Sequence, residues 1–291
     1  MPSPRRAAWA LALLVLAGCA HASSERPAGP LRIVATTSTL ASLARGAAGP
    51  GADVRSLVPV GVSPEDFQPS PDSIAALRDA DVLVENGVGL EGWLESTIRN
   101  SGNPSLRIVV CGDGLPVVAG NPHLWMDPVF ARAYVGKIRD ALIAADAPRA
   151  SAYRASAAAY QVQLDGLRAR TERKIASIPP AQRAMIVFHN AFDYYARRFG
   201  LRIVGAIEPI PGADPNPAHF ADLIRLARAQ HVRAVFAEHE YSDKLALTLA
   251  AGAGGLKVAF LYDDSLGTDP AVNTYIGMID TDTDTIVSAL R

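Results

Sequence analysis

Short runs of β-branched and other apolar residues recur along the chain. In the first half they occupy 31–36, 54–59, 82–85 and 106–111, and in the second half 184–188, 202–207, 234–237 and 257–261. Each has the length of a buried strand and is too short for an ordinary helix. Segments of helical spacing lie between them, among them 40–48, 73–79, 91–99, 190–199, 218–230 and 243–251. Apolar strands alternating with helices predict an α/β fold: two lobes, each a mainly parallel β-sheet flanked by helices.

The stretch 148–178 separates the two sets of strands and contains no proline after Pro148. It is rich in Ala, Arg, Leu and Gln, which favour helix, and Gly166 is its only weak position. Pro148 suits a first helical turn, and Pro179-Pro180 forces a stop. Tyr153, Ala157, Tyr160, Leu164, Leu167 and Ile175 keep mostly helical spacing. About 30 residues would make a rod of roughly 45 Å. The expected organisation is a first lobe over 31–147, one long rigid linking helix over 148–180 and a second lobe over 181–291. A single stiff connection does not predict large lobe motion.

The N-terminus adds a destination. Arg5 and Arg6 precede the apolar run 7–17, which ends Leu16-Ala17-Gly18-Cys19. A basic start followed by a short apolar stretch reads as a signal peptide over 1–18 rather than a membrane span. The Leu-Ala-Gly-Cys order resembles a bacterial lipobox, so Cys19 is the expected lipidation site, and 19–30 forms a polar, Pro/Gly-containing tether. No later segment offers 18 continuous apolar residues. The remaining thiol, Cys111, is expected to pack as a small apolar residue.

Composition mainly excludes. With 28 basic against 29 acidic residues in 291, the formal charge is −1, and nothing suggests a nucleic-acid partner. Two cysteines cannot make a disulfide framework.

Candidate chemistry lies where open α/β sheets place ligands, beyond the carboxyl ends of their strands. The second strand leads to Ser63-Pro64-Glu65-Asp66-Phe67, and the fourth, after a short loop, to Asn121-Pro122-His123-Leu124-Trp125-Met126-Asp127-Pro128. In the second half, the first strand ends at His189, and the last runs into Tyr262-Asp263-Asp264-Ser265-Leu266-Gly267. If the lobes face each other, imidazoles and carboxylates converge on a cleft, a donor set suited to Zn²⁺, Mn²⁺ or Fe²⁺. His21 falls in the tether, and His219, His231 and His239 have no matching placement.

The stretches Pro122-His123-Leu124-Trp125-Met126-Asp127-Pro128 and His189-Asn190-Ala191-Phe192-Asp193-Tyr194 are specific. With the opening Ile33-Val34-Ala35-Thr36-Thr37, the segment 81–91, the closing Asp264-Ser265-Leu266-Gly267 and Tyr275-Ile276-Gly277, they give the chain a resemblance over 31–291. It resembles the metal-binding solute-binding lipoproteins of bacterial ABC importers, the cluster A-I or cluster 9 (TroA/ZnuA-like) family. The resemblance implies a metal site in the inter-lobe cleft held by four side chains, three of them matching His123, His189 and Asp264. The first position departs from the family's Gly-x-x-Pro-His pattern: Gly61-Val62-Ser63-Pro64 is followed by Glu65, with Asp66 as the substitute if the loop shifts.

The exchange of His for Glu adds a negative charge and an oxygen donor, favouring Mn²⁺ or Fe²⁺ without excluding Zn²⁺. The segment 113–120 lacks the His-rich loop of many zinc members, whereas His189 stands where many manganese members carry Glu. The two differences point in opposite directions. The expected function is extracytoplasmic capture of one divalent transition metal ion by a lipid-anchored, monomeric, non-enzymatic protein, with delivery to an ABC permease in the cytoplasmic membrane. The alternatives are an adhesin-like or degenerate binding protein and a metallohydrolase. The last lacks support, because no His-Glu-x-x-His pair or Gly-x-Ser-x-Gly elbow is present.

Overall fold

The structure, a computed structural model, describes residues 29–209 and 216–291; the expected signal peptide, Cys19 and most of the tether lie outside the described residues. All eight apolar runs form strands. Strands β1 (Arg32–Ala35), β2 (Asp53–Ser56), β3 (Val82–Glu85) and β4 (Arg107–Val110) make one parallel sheet in the order β2-β1-β3-β4. Strands β5 (Ala184–Val187), β6 (Arg202–Ala206), β7 (Ala234–Glu238) and β8 (Lys257–Leu261) make a second, in the equivalent order β6-β5-β7-β8. The second strand ends before the predicted 59. Its pairing runs on through the N–H groups of Leu57 and Val58 to Ala35 and Thr36, each at 2.9 Å, and Pro59 then has no N–H to offer.

The helices are α1 (Ser38–Ala48), α2 (Pro71–Asp79), α3 (Leu94–Ser101), α4 (Pro128–Ala145), α5 (Ala150–Ala176), α6 (Asp193–Phe199), α7 (Pro217–Ala229), α8 (Lys244–Gly252) and α9 (Tyr275–Leu290). Local chemistry sets many of their starts. Ser70 caps α2 with a capping box and Pro71 in the first turn, and the Asp127 side chain accepts from Val129 N ahead of Pro128 in α4. Thr274 and Asn216 cap α9 and α7 in the same way.

Strand alternation explains where the core sits. In β1, Ile33 and Ala35 face a central apolar cluster while Val34 faces an outer one; in β3, Val82 and Val84 face the centre and Leu83 the outside. The second sheet repeats the arrangement, with Met185, Val187 and Phe236 turned to the centre and Ile186 and Val235 to an outer cluster. The central cluster is continuous across both lobes, from Ile33 to Leu290, and α1, α4, α5, α6 and α9 contribute to it.

Helix α5 is therefore no free-standing rod. It packs between α1 and α4 of the first lobe and α9 of the second. Tyr153, Ala157, Leu164, Leu167 and Ile175 are buried along it, each large apolar side chain contributing about 1.5–3 kcal/mol. Arg170 holds Asp280 of α9 with three hydrogen bonds of 2.5–3.0 Å, and Lys174 pairs with Asp284. Cys111 is fully buried in the central core, and burial pushes its thiol pKa up, as expected of a packing residue. Among the described residues, no helix is long and apolar enough to cross a membrane.

Candidate metal centre

The carboxyl ends of both sheets meet across a polar seam. From the first lobe, the Trp125 indole donates to Asp263 O at 2.9 Å and Ser63 Oγ to Asp264 Oδ2 at 3.2 Å. Gly61 N donates to Ser265 Oγ at 2.7 Å, and Gly61 takes φ +82°, a left-handed conformation suited to glycine. In return, the Tyr275 hydroxyl donates to Trp125 O at 2.7 Å, and Arg198 grips Asp127 at 2.7–3.0 Å. These bonds seat the loops after β2 and β4 against the loop after β8 and against α6 and α9.

Three of the four expected ligands come together there. His123 Nε2 lies 3.1 Å from His189 Nε2 and 3.2 Å from Asp264 Oδ1, and the three donor atoms fall within 4.8 Å of one another. All three residues are buried. Donors about 2.0–2.1 Å from a tetrahedral ion stand about 3.3 Å apart, so the observed spacings suit one face of such a site. Asp264 Oδ1 has no hydrogen-bond partner, as befits an atom available to a cation.

The far nitrogens of both rings are already engaged. His123 Nδ1 is 2.9 Å from Asn121 Oδ1, which also accepts from His123 N at 2.9 Å. His189 Nδ1 is 2.7 Å from Glu238 Oε2, and Glu238 Oε1 accepts from His189 N at 3.1 Å. Oxygen acceptors at both Nδ1 atoms place a proton on each, leaving the Nε2 atoms to face one another. Burial pulls both rings toward the neutral form. It wins at His123, whose pKa is lowered, whereas the charge and hydrogen bond of Glu238 outweigh it at His189, raised to about 9. In the metal-free protein at neutral pH, His189 Nε2–H thus donates to His123 Nε2, and a proton occupies the position between the rings. Asp264 is held below its usual value: burial opposes this, but the two neighbouring imidazoles and the Ser63 hydroxyl prevail.

Glu65 lines a cavity of about 180 Å³ together with His123, His189, Asn190 and Pro209, but its carboxylate is not part of the tight three-atom cluster. Burial, then the charge of Asp264, raises its pKa to about 7. Its N–H donates to Ser63 Oγ at 3.3 Å, tying it to the serine that holds Asp264. Asp66 is exposed. His219 and His231 lie outside the centre, the former bonded to Ala206 O at 2.9 Å, while His239 stacks on Tyr262.

Sequence reasoning missed the acids behind His189. Glu238 ends β7 and Asp263 Oδ2 lies 3.6 Å from His189 Nδ1, so His189, Glu238 and Asp263 form a second buried group. Asp263 Oδ2 has no partner, and burial together with Glu238 and Glu240 raises its pKa well above normal. The signal was present: a glutamate closing the apolar run of β7 passes the same strand-end test that found His189.

Over residues 33–289 the chain matches the family model described as ZnuA, zinc-uptake complex component A, periplasmic. It is similar to the manganese-binding lipoprotein MntA of Halalkalibacterium halodurans, 30% identical over 285 residues and 95% of each chain. It is also similar to the iron-binding protein YfeA of Yersinia pestis, 31% identical over 283 residues, 94% of this chain and 91% of that one. The solved structure of the periplasmic zinc binding protein TroA from Treponema pallidum shares the fold, with a TM-score of 0.83 at 24% identity, covering 90% of this chain and 99% of that one.

Proposed function

The chain belongs to the ZnuA family of periplasmic zinc-uptake components, and from that premise we propose that it captures one divalent transition metal ion outside the cytoplasm for an ABC importer. The ion is zinc, manganese or iron, the metals in the names of its relatives. Its ligands are Glu65 and His123 from the lobe at 31–147 and His189 and Asp264 from the lobe at 181–291. The observation that carries this reading is the pair of Nε2 atoms 3.1 Å apart, beside an unpartnered Asp264 oxygen, in a buried seam. A cation there relieves the repulsion among these donors and displaces the proton shared by the imidazoles.

Four protein donors fill a tetrahedral shell and leave no position for an activated water, so the chain acts by capture and release without turnover. Glu65 completes the shell by moving its carboxylate from the cavity wall toward the other three. The lipidated Cys19 tethers the monomer to a membrane, and an ABC permease in the cytoplasmic membrane receives the ion. Metal analysis of the purified chain after chelator treatment, followed by competitive titration with Zn²⁺, Mn²⁺ and Fe²⁺, tests the reading. One ion per chain is expected, and failure to bind any divalent ion sinks it.

A further inference from the structure

Asn121 is two residues from His123 and touches both lobes. Its side-chain oxygen accepts from His123 N and Nδ1, each at 2.9 Å, and its side-chain nitrogen donates to Asn190 O at 2.7 Å, beside His189. Its backbone oxygen accepts from the Tyr194 hydroxyl of α6 at 2.8 Å, and that hydroxyl in turn accepts from Val118 N at 2.9 Å. Between these anchors Ala119 sits at φ +50°, a left-handed conformation that residues with a Cβ disfavour, so the anchoring bonds hold the loop in a shape it would not adopt alone.

We propose that Asn121 is a positioning residue that sets the two imidazoles against each other across the lobes. A side-chain amide offers an acceptor and a donor on one planar group. The acceptor fixes the ring of His123 with its proton on Nδ1 and its Nε2 free for the ion. The donor fixes the start of the 3-10 turn Asn190–Phe192, which begins directly after His189. Tyr194 clamps the same loop from the second lobe. Withdrawing the ion's first-lobe imidazole from its second-lobe imidazole therefore requires these bonds to break together, and they slow metal release. This inference rests on the reading of His123 and His189 as ligands.

The test combines release of Zn²⁺ or Mn²⁺ to a chromogenic chelator with the ¹⁵N tautomer pattern of His123 in the metal-free protein. Tyr194→Phe loses the clamp alone and is expected to speed release roughly 3–10-fold with His123 still protonated on Nδ1. Asn121→Asp keeps the acceptor and loses the donor, but its charge strengthens His123 as a ligand, so it is read only for the tautomer, which is expected to stay on Nδ1. Asn121→Ala loses both functions, and is expected to lower affinity about 10–100-fold and to mix the His123 tautomers. Thermal unfolding accompanies each variant; should Asn121→Ala fail to fold, the other two decide. A wild-type release rate in Tyr194→Phe overturns the proposal, as does a His123 proton displaced from Nδ1 in Asn121→Asp or an unchanged tautomer and affinity in a folded Asn121→Ala. A wild-type chain that binds no ion overturns the ligand reading instead.

Discussion

In both lobes the strand order reverses between two central strands, β1 and β3 in the first and β5 and β7 in the second, and in both a glutamate is buried beside the reversal. Glu91 accepts from Thr36 Oγ1 at 2.7 Å, Asn86 N at 2.8 Å and Gly87 N at 3.0 Å. Its partners are a hydroxyl and backbone amides, so it braces the loop after β3, and Asn86 carries the brace onward to Pro122 O at 2.9 Å. Glu238 accepts from the backbone and ring of one histidine, with a second carboxylate, Asp263, 3.6 Å from the same ring nitrogen. A carboxylate buried at the reversal thus braces a loop in one lobe, from Glu91 beyond β3, and holds a candidate ligand in the other, from Glu238 at the end of β7. Burial of a carboxylate does not separate the two; the identity of its donors does. The first lobe instead draws its candidate ligands from loops after its outer strands, β2 and β4.

The comparison breaks first at His189. If the reversal in the second lobe carries chemistry, His189→Ala removes about a quarter of a binding free energy on the order of 10–16 kcal/mol, a loss of roughly 10²–10³-fold in affinity. Thr36→Val, at the matching end of β1, should leave affinity within about twofold on the same titration while lowering the melting temperature.

The next pair sharpens the contrast between the glutamates themselves. Glu238→Gln should lower metal affinity about 10–100-fold, because the amide no longer supplies an anionic acceptor to His189 Nδ1. Glu91→Ala leaves three donors without their acceptor and should destabilise by about 3–5 kcal/mol in denaturant unfolding, with affinity of the folded fraction nearly unchanged. A metal defect in Glu91→Ala as large as that of Glu238→Gln would erase the distinction between the lobes.

Much of this is legible in the sequence. The eight strands announce themselves as short apolar runs, and the strand-end rule reaches His123, His189, Asp264 and Glu65. Two helices escaped. In α9 the run Asp280-Thr281-Asp282-Thr283-Asp284-Thr285 alternates with period two and favours neither helix propensity nor a helical stripe, and tertiary partners such as Arg170, Tyr195 and Thr171 hold it in place. In α4, Gly136 interrupts an otherwise helical run that begins within a motif already read for its histidine. The roles of Glu238 and Asn121 could not be seen from spacing, because each depends on which side chain comes to face it across 49 or two residues of chain. The continuous core likewise depends on helices from both lobes packing on α5, which periodicity along one segment does not encode.

Within the first lobe, Glu65 and Asp66 offer a sharper cut. Glu65 lines the cavity with both histidines, whereas Asp66 is exposed. Glu65→Ala should weaken binding about tenfold or more, and Asp66→Ala should change it by less than about twofold in the same competitive titration. Reversal of the two effects would give the ligand role to Asp66 and require the loop after β2 to shift.

The smallest expected effect is a pH trend in stability, and its sign comes mainly from the second lobe. The folded metal-free chain binds more protons than the unfolded one at Glu65 (raised to about 7), Glu240 (raised to about 8) and His189 (raised to about 9). Stability from the two glutamates is full below about 4.5 and is lost as pH rises through their folded values; that from His189 is full below about 6.5 and is lost through 9. The opposite contributions, from lowered His123 and Asp264, are complete by about pH 6.5. Between pH 6.5 and 8.5 the metal-free chain should therefore lose stability. Over the same interval metal binding strengthens, because the ion no longer competes with protons on Glu65 and His189. The gap between metal-loaded and metal-free melting temperatures should widen, by about 3–6 °C for each tenfold gain in affinity, as read by calorimetry at fixed ion concentration. Glu238→Gln should flatten that trend, since without the anion His189 no longer holds its extra proton, whereas a conservative Glu91→Gln in the first lobe should leave the slope in place. A gap that stays constant in the wild-type chain would mean that binding displaces no proton from the paired imidazoles.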